Sequence, residues 1–542
     1  KRSQNVAPVQ PAPAAPTRQP ATPSSTARPG PRGGFARLAA PASFNFDTFD
    51  AQRTGEPTVV EVLGRTHSRL VTWTDFQAPT LNGDLATGWE QPDPTHWTFH
   101  LNPAARWQNR IPVSGRAVTA QDIIQHITRM QSLAHDNALP LGQRATEYAA
   151  IRRVTSPDSA TVVIETAKPN PFLLDLLAGR FALVQAPEAV DTFATSWQDA
   201  RPEQVIGSGP FIFESNDGGV LSFAAHTAGH NAPMLDHLAI RQPGGEVKLF
   251  ETNELDEVLT RDRRDAASLR AESTAATEFS RFEDSPVIST FFVGAPPWNN
   301  PGLLQAISAA LNRSHLSDLL FGGRADACGP ISPATPAFAL NGNDMEKFPG
   351  YRLDADADAA DARARWSAAG GAALGPIVID VPSIFDPLYT VGEQVTGRLN
   401  DILGSQFRWS VETYTTISKK TAAGAYGNGT AAFWFGWGPP LSGPDPSLSF
   451  IDAFDSRAVG ARQFGIRSTG LDARFDALAN EFSLPARATR ARDLSGALLT
   501  DGSIGVVSWL LQRSELFRRK NLHGSSPTPF WDQHLDALRS FA

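Results

Sequence analysis

GDLATGWEQPDPTHWTFHLNPAARWQNRIPVSGRAVTAQDIIQHITRM, residues 83–130, carries three kinds of local structure in a fixed order. LATGWE brings small and apolar residues up to a tryptophan. HWTFHL alternates and puts Trp97, Phe99 and Leu101 on one face, the pattern of a half-buried strand. SGRAVTAQDIIQHITRM turns at Gly115 and starts a helix at Thr119, whose hydroxyl is expected to cap the amides of Gln121 and Asp122. Ile123, Ile124, Ile127 and Met130 follow at helical spacing.

Outward from this segment, composition bounds the chain. At 542 residues it is too long for one core and is expected to form two or three lobes. Hydrophobic residues make up 41% and charged residues 19%, a globular balance, and no apolar run reaches the length of a membrane span. The start at Lys1 suggests a processed chain whose export signal and any membrane anchor lie outside the residues given. The lone Cys328 excludes an internal disulfide and a cysteine-based metal cage. Net charge is −8, yet residues 1–40 carry six basic residues and no acid, which leaves −14 for the remainder. An acidic body argues against nucleic acid as a partner. The first 40 residues are rich in Pro, Ala, Ser and Thr and read as an extended tether or linker.

Along the rest of the chain, SFNFDTFDAQRTGEPTVVEVLGRTHSRL reads as a strand, a polar loop and a helix from about Pro57 to Leu70. Two β-rich runs flank Ser156-Pro157-Asp158 as a hairpin. A short apolar helix covers Pro171–Leu177, and Phe181–Pro187 reads as a strand. In VIGSGPFIFES, Gly207 and Gly209 serve backbone geometry, because a phosphate-cradling loop would need a Lys and a following helix. PVISTFFV and AAFWFGWG are buried strands. Val395, Leu399, Ile402 and Leu403 line the buried face of an amphipathic helix.

The order LATGWE, WTFHL, Trp107, VTAQDI resembles the signature of the family 5 extracellular solute-binding proteins, the peptide- and nickel-type receptors of ABC importers. The longer QNRIPVSG replaces the Asp-Gly turn of that pattern. The resemblance continues through VIGSGPF, HNAPMLDHL, NPGLLQAISAALNR (with Asn312 where Asp is usual), ACGPISPATPAF and ADAADARARWSAAGG, in consistent order over about residues 43–525. It implies an α/β fold, two-lobed and of the type II periplasmic-binding-protein kind, with an extra subdomain inserted in lobe I. The expected divisions are 1–40 tether; 41–65, 206–284 and 500–542 lobe I; 66–205 its subdomain; and 285–499 lobe II.

The resemblance places the ligand between the lobes. The family's peptide receptors carry a Gly-Trp-x-x-Asp segment whose Asp pairs with a peptide α-ammonium. Here FGWGPPLSGPDPS puts Trp437 at the family Trp and Pro440 where that Asp belongs, with Asp445 heading a later Asp-Pro. A buried ammonium without a carboxylate costs several kcal/mol, which argues against a free peptide terminus. The ligand-binding candidates are Trp437, Gly438, Pro439, Pro440 and Asp445, with Asp50, Gln52, Arg53 and Thr54 from the loop matching the family's ligand-facing first loop. Trp437 is either a pocket wall or a member of the aromatic core with Phe433 and Phe435. The four loop residues are equally readable as solvated.

His226 and His230 have the spacing of two helical metal ligands, but Gly229 argues for a surface loop. Cys328 reads as a small buried hydrophobe. No catalytic motif, cofactor site or metal site is recognisable by spacing, so no enzymatic activity is expected. The expectation is an exported receptor, periplasmic or at the cell surface, that captures an oligopeptide-like or oligosaccharide solute and delivers it to an ABC permease. The alternative is a structural or interaction protein that keeps the fold without transport, favoured by the tether and by Pro440 and Asn312.

Overall fold

The computed structural model describes residues 33–523 apart from 41–42, 55, 76–78, 134–143, 200, 273–275, 284, 384–387, 405, 427–430, 438–442, 467–468 and 503. A curled mixed sheet runs through both lobes. Its strand order is Phe407–Glu412, Ile377–Pro382, Phe433–Trp437, Val287–Phe291, Val506–Arg519, Glu257–Thr260, Phe35–Ala39, His237–Arg241, Val220–Ala225 and Phe211–Asp217. The 14-residue strand Val506–Arg519 joins the halves: its first part pairs with Val287–Thr290 and its last part with Glu257–Thr260 and Ala276–Phe282. Separate apolar cores form on either side of it. One is built around Phe49, Trp107, Phe211 and Phe223, the other around Phe291, Trp298, Phe433 and Trp509.

Within the 83–130 segment, His96–Leu101 is a strand burying Trp97, Phe99 and Leu101. It lies in a four-stranded antiparallel sheet between Ala86–Asp93 and Thr161–Thr166, with Ile151–Asp158 at the edge. The helix Ala120–Leu133 buries Ile123, Ile127 and Met130 against it, while Ile124 is only half-buried. Its N-terminus is capped in the opposite sense to that expected. The Thr119 hydroxyl caps neither amide; the Asp122 carboxylate takes the Thr119 amide at 2.8 Å and the Thr119 hydroxyl at 3.2 Å. The same carboxylate receives the Trp107 indole at 3.4 Å and Arg116 at 2.8 and 2.6 Å. One buried acid thus ties the tryptophan, the turn and the helix start together, which gives the motif's spacing a structural reason.

Five further expectations change. Phe35–Ala39, placed in the tether, is a strand that pairs in parallel with His237–Arg241. No strand covers Phe44–Phe46, which pack on the core instead. Phe181–Ala186 is irregular chain rather than a strand, and Pro187 opens the helix Pro187–Phe193. The hairpin turns at Ser159-Ala160, two residues after Pro157, because the strand runs on to Asp158, whose carboxylate takes the Ala160 amide at 2.8 Å. The first helix stops at Thr66, four residues short of Leu70. There the Thr66 carbonyl accepts from the Gly209 amide at 2.9 Å, and a Cβ on Gly207 or Gly209 would overlap the Thr66–His67 backbone. Asn312 is an N-cap at φ 45°, accepting the His315 amide at 3.0 Å. Asn serves there as well as Asp, so its presence says nothing against transport.

Candidate functional site

The chain around Gly443–Asp445 and the helix Leu484–Asp501, within the expected lobe II, face Trp73 and residues 171–175, within the expected lobe I subdomain. Asp445 is fully buried. Its Oδ1 accepts the Ser447 amide at 2.9 Å, an Asx turn that opens the helix Ser447–Phe454. Its Oδ2 pairs with Arg487 at 2.7 Å. Arg487 reaches across the lobe boundary, its guanidinium 5.1 Å from the Phe172 ring centroid and a nitrogen 3.5 Å from the Pro171 carbonyl oxygen. Asp445 is therefore an internal anchor of this boundary rather than an open ligand contact.

Opposite it, the helix Leu173–Ala178 presents the buried Asp175. Its Oδ2 pairs with Arg144 at 3.0 Å, and Arg144 also holds Glu147 at 2.6 Å. Burial pushes the Asp175 carboxyl above the usual carboxylate range, opposed by Arg144 and reinforced by the nearby Asp445 charge. Among the described residues, Asp175 Oδ1 and Trp73 Nε1 have no hydrogen-bond partner. Sequence reasoning passed over Asp175. The available signal was an acid inside the apolar run FLLDLLA, since such residues are buried only when paired.

The loop matching the family's first loop is pinned from behind. Asp50 Oδ1 accepts from Arg129 at 2.9 Å, and the Gln52 amide nitrogen lies 3.0 Å from His126 Nδ1 and 3.1 Å from the His126 carbonyl oxygen. Burial, then the Arg129 charge, lowers the His126 pKa to about 3, so this ring is neutral. Thr54 donates to Asp47 at 2.7 Å. Asp50, Gln52 and Thr54 are buried, whereas the Arg53 side chain is 46% exposed and 4.0 Å from Asp50.

In the strand Phe433–Trp437, Phe433 and Phe435 enter the lobe II core and Trp434 packs on the opposite face with Ile288, Ile417 and Tyr426. Trp437 ends the strand, its backbone paired with Val287. The Trp437 side chain and residues Gly438, Pro439 and Pro440 lie outside the described residues.

His226 and His230 are in a loop, as expected, but not on the surface. His226 Nδ1 is 3.0 Å from the Gly209 carbonyl oxygen and His230 Nε2 is 2.7 Å from Asp84. His226 therefore holds the loop to the Gly209 turn, and His230 ties it to Asp84 in the 66–205 segment. Cys328 is buried, and burial raises its thiol to about 12, as for a small hydrophobe. Among the described residues no group of three or more His, Cys, Asp or Glu is placed to hold a metal, and no helix is long and apolar enough to cross a membrane.

Comparison with known proteins agrees with this architecture. The chain aligns over 94% of its length with HbpA2 from Haemophilus parasuis, covering all of that chain, at a TM-score of 0.76 and 17% identity. It aligns equally far with DppA from Helicobacter pylori in complex with the peptide STSA, covering 99% of it, at a TM-score of 0.73 and 15% identity. At such identities these likenesses establish the two-lobed fold. Di/tripeptide-binding protein 2 of Pseudomonas aeruginosa is 27% identical over 266 residues, which are 46% of this chain and 49% of that protein. The chain thus spans about half the length of the curated relatives it matches. The family model for bacterial extracellular solute-binding proteins, family 5, matches residues 80–456. With most of the chain inside that match, this protein belongs to the family 5 extracellular solute-binding proteins.

Proposed function

We propose that the protein is an extracytoplasmic receptor that captures a small organic solute between its lobes and hands it to an ABC import permease. Its mechanism is greater affinity of the closed than of the open form, without covalent chemistry. The observation that carries this reading is the family 5 match over residues 80–456, set beside the lobe boundary at Arg487, Phe172 and Asp445. That boundary joins elements far apart in sequence, so separating the lobes would open it.

The solute is an oligomer without a free α-ammonium at the Gly-Trp segment, a blocked or modified peptide or an oligosaccharide. Pro440 supports this, since it offers no negative charge where an ammonium would need one. Trp437, with Gly438, Pro439 and Pro440, supplies one wall of the site, and the 50–54 loop supplies the other through Arg53. Asp445, Asp50, Gln52 and Thr54 hold these walls in place.

Native mass spectrometry of the protein purified from its source tests the proposal by detecting a retained solute. If no solute is retained and none of a panel of peptides and oligosaccharides shifts the melting temperature, the receptor reading fails. Trp437→Ala should weaken binding of a solute so identified; unchanged affinity removes that residue from the site.

A further inference from the structure

Away from the lobe boundary, a cavity of about 370 Å³ opens beside the core built around Phe291 and Phe433. Its walls come mainly from the helix Pro301–Ala310, the turn at 347–352, Arg365 of the helix Ala355–Ala368 and the end of the helix Leu484–Asp501. Val506–Ser508, at the start of the strand that joins the halves, forms the remaining side. Among the described residues, none from the 50–54 loop or the Gly-Trp segment reaches it. The volume is that of a small-molecule site.

The lining divides by chemistry. Leu304, Phe348, Leu499, Ile504 and Val506 give apolar walls; the charged members are Lys347, Arg352 and Arg365, with no acid among the described residues of the lining. The acids that hold these cations stand outside it. Asp344 meets Lys347 at 2.7 Å, Asp358 and Asp361 meet Arg352 at 3.4 and 3.1 Å, and Asp361 also meets Arg365 at 2.8 Å. A fourth cation lies directly behind the wall. Arg313 is buried and donates to the Ser508 carbonyl at 2.8 Å, the Gly350 carbonyl at 2.7 Å and the Ser308 hydroxyl at 3.0 Å. Its guanidinium is 3.8 Å from the Tyr351 ring centroid, and Ser308, Tyr351 and Ser508 all line the cavity. These partners are neutral, and among the described residues no carboxylate comes within ion-pair distance of Arg313. A buried charge without a counter-ion is costly. The carbonyl end of the helix Leu484–Asp501, which would repel an anion, is covered: Gln305 donates to the Thr500 carbonyl at 3.3 Å and the Gly502 amide to the Leu498 carbonyl at 3.0 Å.

We propose that this cavity is a second ligand site, separate from the one between the lobes, and that it takes a small organic monoanion: a carboxylate on an apolar chain. The carboxylate lies against Arg352 and Arg365. Asp358, Asp361 and Gln305 use only some of the ten guanidinium hydrogens of that pair, and a planar carboxylate suits the rest. It also brings toward Arg313 the negative charge that its own surroundings lack. The chain of the ligand covers Phe348, Leu499 and Ile504 and removes their apolar surface from water. An inorganic anion would answer the charge and leave those walls wet. A neutral apolar molecule would cover the walls and leave Arg313 without a counter-charge. The inference goes beyond the receptor reading and does not rest on it.

The test titrates the full chain calorimetrically with four probes: octanoate, octanamide, octylammonium and inorganic phosphate. The expected result is saturable binding of one octanoate per chain, about tenfold tighter than octanamide, the scale of a hydrogen bond to a charged group. Octylammonium and phosphate should give no saturable heat. Arg352→Gln and Arg365→Gln alter side chains that are partly exposed, so the fold should tolerate them. Each should weaken octanoate about tenfold and leave octanamide within about twofold. Leu499→Trp fills the cavity from the half-buried end of its helix and should abolish binding of both, and it decides the matter if neither arginine variant folds. Absence of saturable octanoate binding overturns the site. So does octanamide, octylammonium or phosphate binding as tightly as octanoate, which would show that charge and apolar surface are not read together. Octanoate affinity unchanged in both arginine variants, or in Leu499→Trp, also overturns it, because the probe would then be bound elsewhere on the chain. Each of these failures leaves the receptor reading standing, since none of the altered residues belongs to the site between the lobes.

Discussion

Asp445 and Arg487 form an ion pair at 2.7 Å with both side chains almost wholly buried, and the arginine end of that pair crosses to Phe172 of the subdomain. Breaking a buried pair leaves one charge uncompensated, which costs more than the intact pair contributes. Arg487→Met should therefore destabilise the protein by about 3–5 kcal/mol. The double variant with Asp445→Asn should be less unstable than the sum of the two single changes. Urea unfolding of the four proteins measures this coupling; strict additivity would mean that the pair does not act as a unit.

The sequence made most of the scaffold legible, and the reason is periodicity. Trp97, Phe99 and Leu101 alternate on a strand that has one wet face, and Ile123, Ile127 and Met130 recur at helical spacing, so each pattern maps directly onto one buried surface. What stayed hidden depended on distant partners. Phe35–Ala39 looks like more of an Arg- and Ala-containing tail until His237–Arg241 is brought alongside. His230 reads as a loop residue until Asp84, 146 positions away, meets it. The candidate site was the least legible part. Asp175, Trp73 and Gly443 come from three separate stretches, and nothing local to any of them announces the other two. Conversely, Asp50 and Gln52 looked like loop residues free for a ligand because Arg129 and His126 lie 79 and 74 positions away from them in sequence.

Two histidines make the fold sensitive to acid. Burial lowers the His67 pKa to about 4, with Arg69 adding to the effect against a Leu63 backbone contact, and His126 falls to about 3. In the unfolded chain both return to the ordinary value near 6.5. Below that value the unfolded state binds more protons than the folded one. The stability these rings allow is thus fully present above about pH 6.5 and is lost as the pH falls toward 4 and then 3. Each ring contributes a slope of up to about 1.4 kcal/mol per pH unit in that window. Replacing His126 by Gln should flatten unfolding free energy against pH between 6 and 4.5 by about that amount. Parallel curves for the two proteins would show that His126 is not held neutral.

Cys328 should be chemically silent in the native protein. Its thiol is buried, and burial raises its pKa to about 12, which leaves almost no thiolate at neutral pH. An aromatic disulfide reagent should therefore label it only as fast as the chain opens, with the rate rising in urea along with unfolding. Full labelling within minutes in buffer alone would contradict the burial.

Asp50 and Arg53 are three positions apart in one loop yet should respond to substitution in different measurements. Asp50 is buried and accepts from Arg129, so Asp50→Asn removes a charge-assisted contact and leaves Arg129 short of a partner. A buried hydrogen bond to a charged group contributes about 1.5–3 kcal/mol, so the loss should appear as lowered unfolding free energy. Arg53 is half exposed and lies only loosely by Asp50 at 4.0 Å, a geometry that contributes little to stability. Arg53→Ala should lower the unfolding free energy less than Asp50→Asn does and should weaken solute binding. The comparison decides which part of the loop faces the solute. If Arg53→Ala is silent in binding while Asp50→Asn abolishes it at unchanged stability, the loop contacts the solute through its buried acid and the Arg129 network is a ligand site rather than a support.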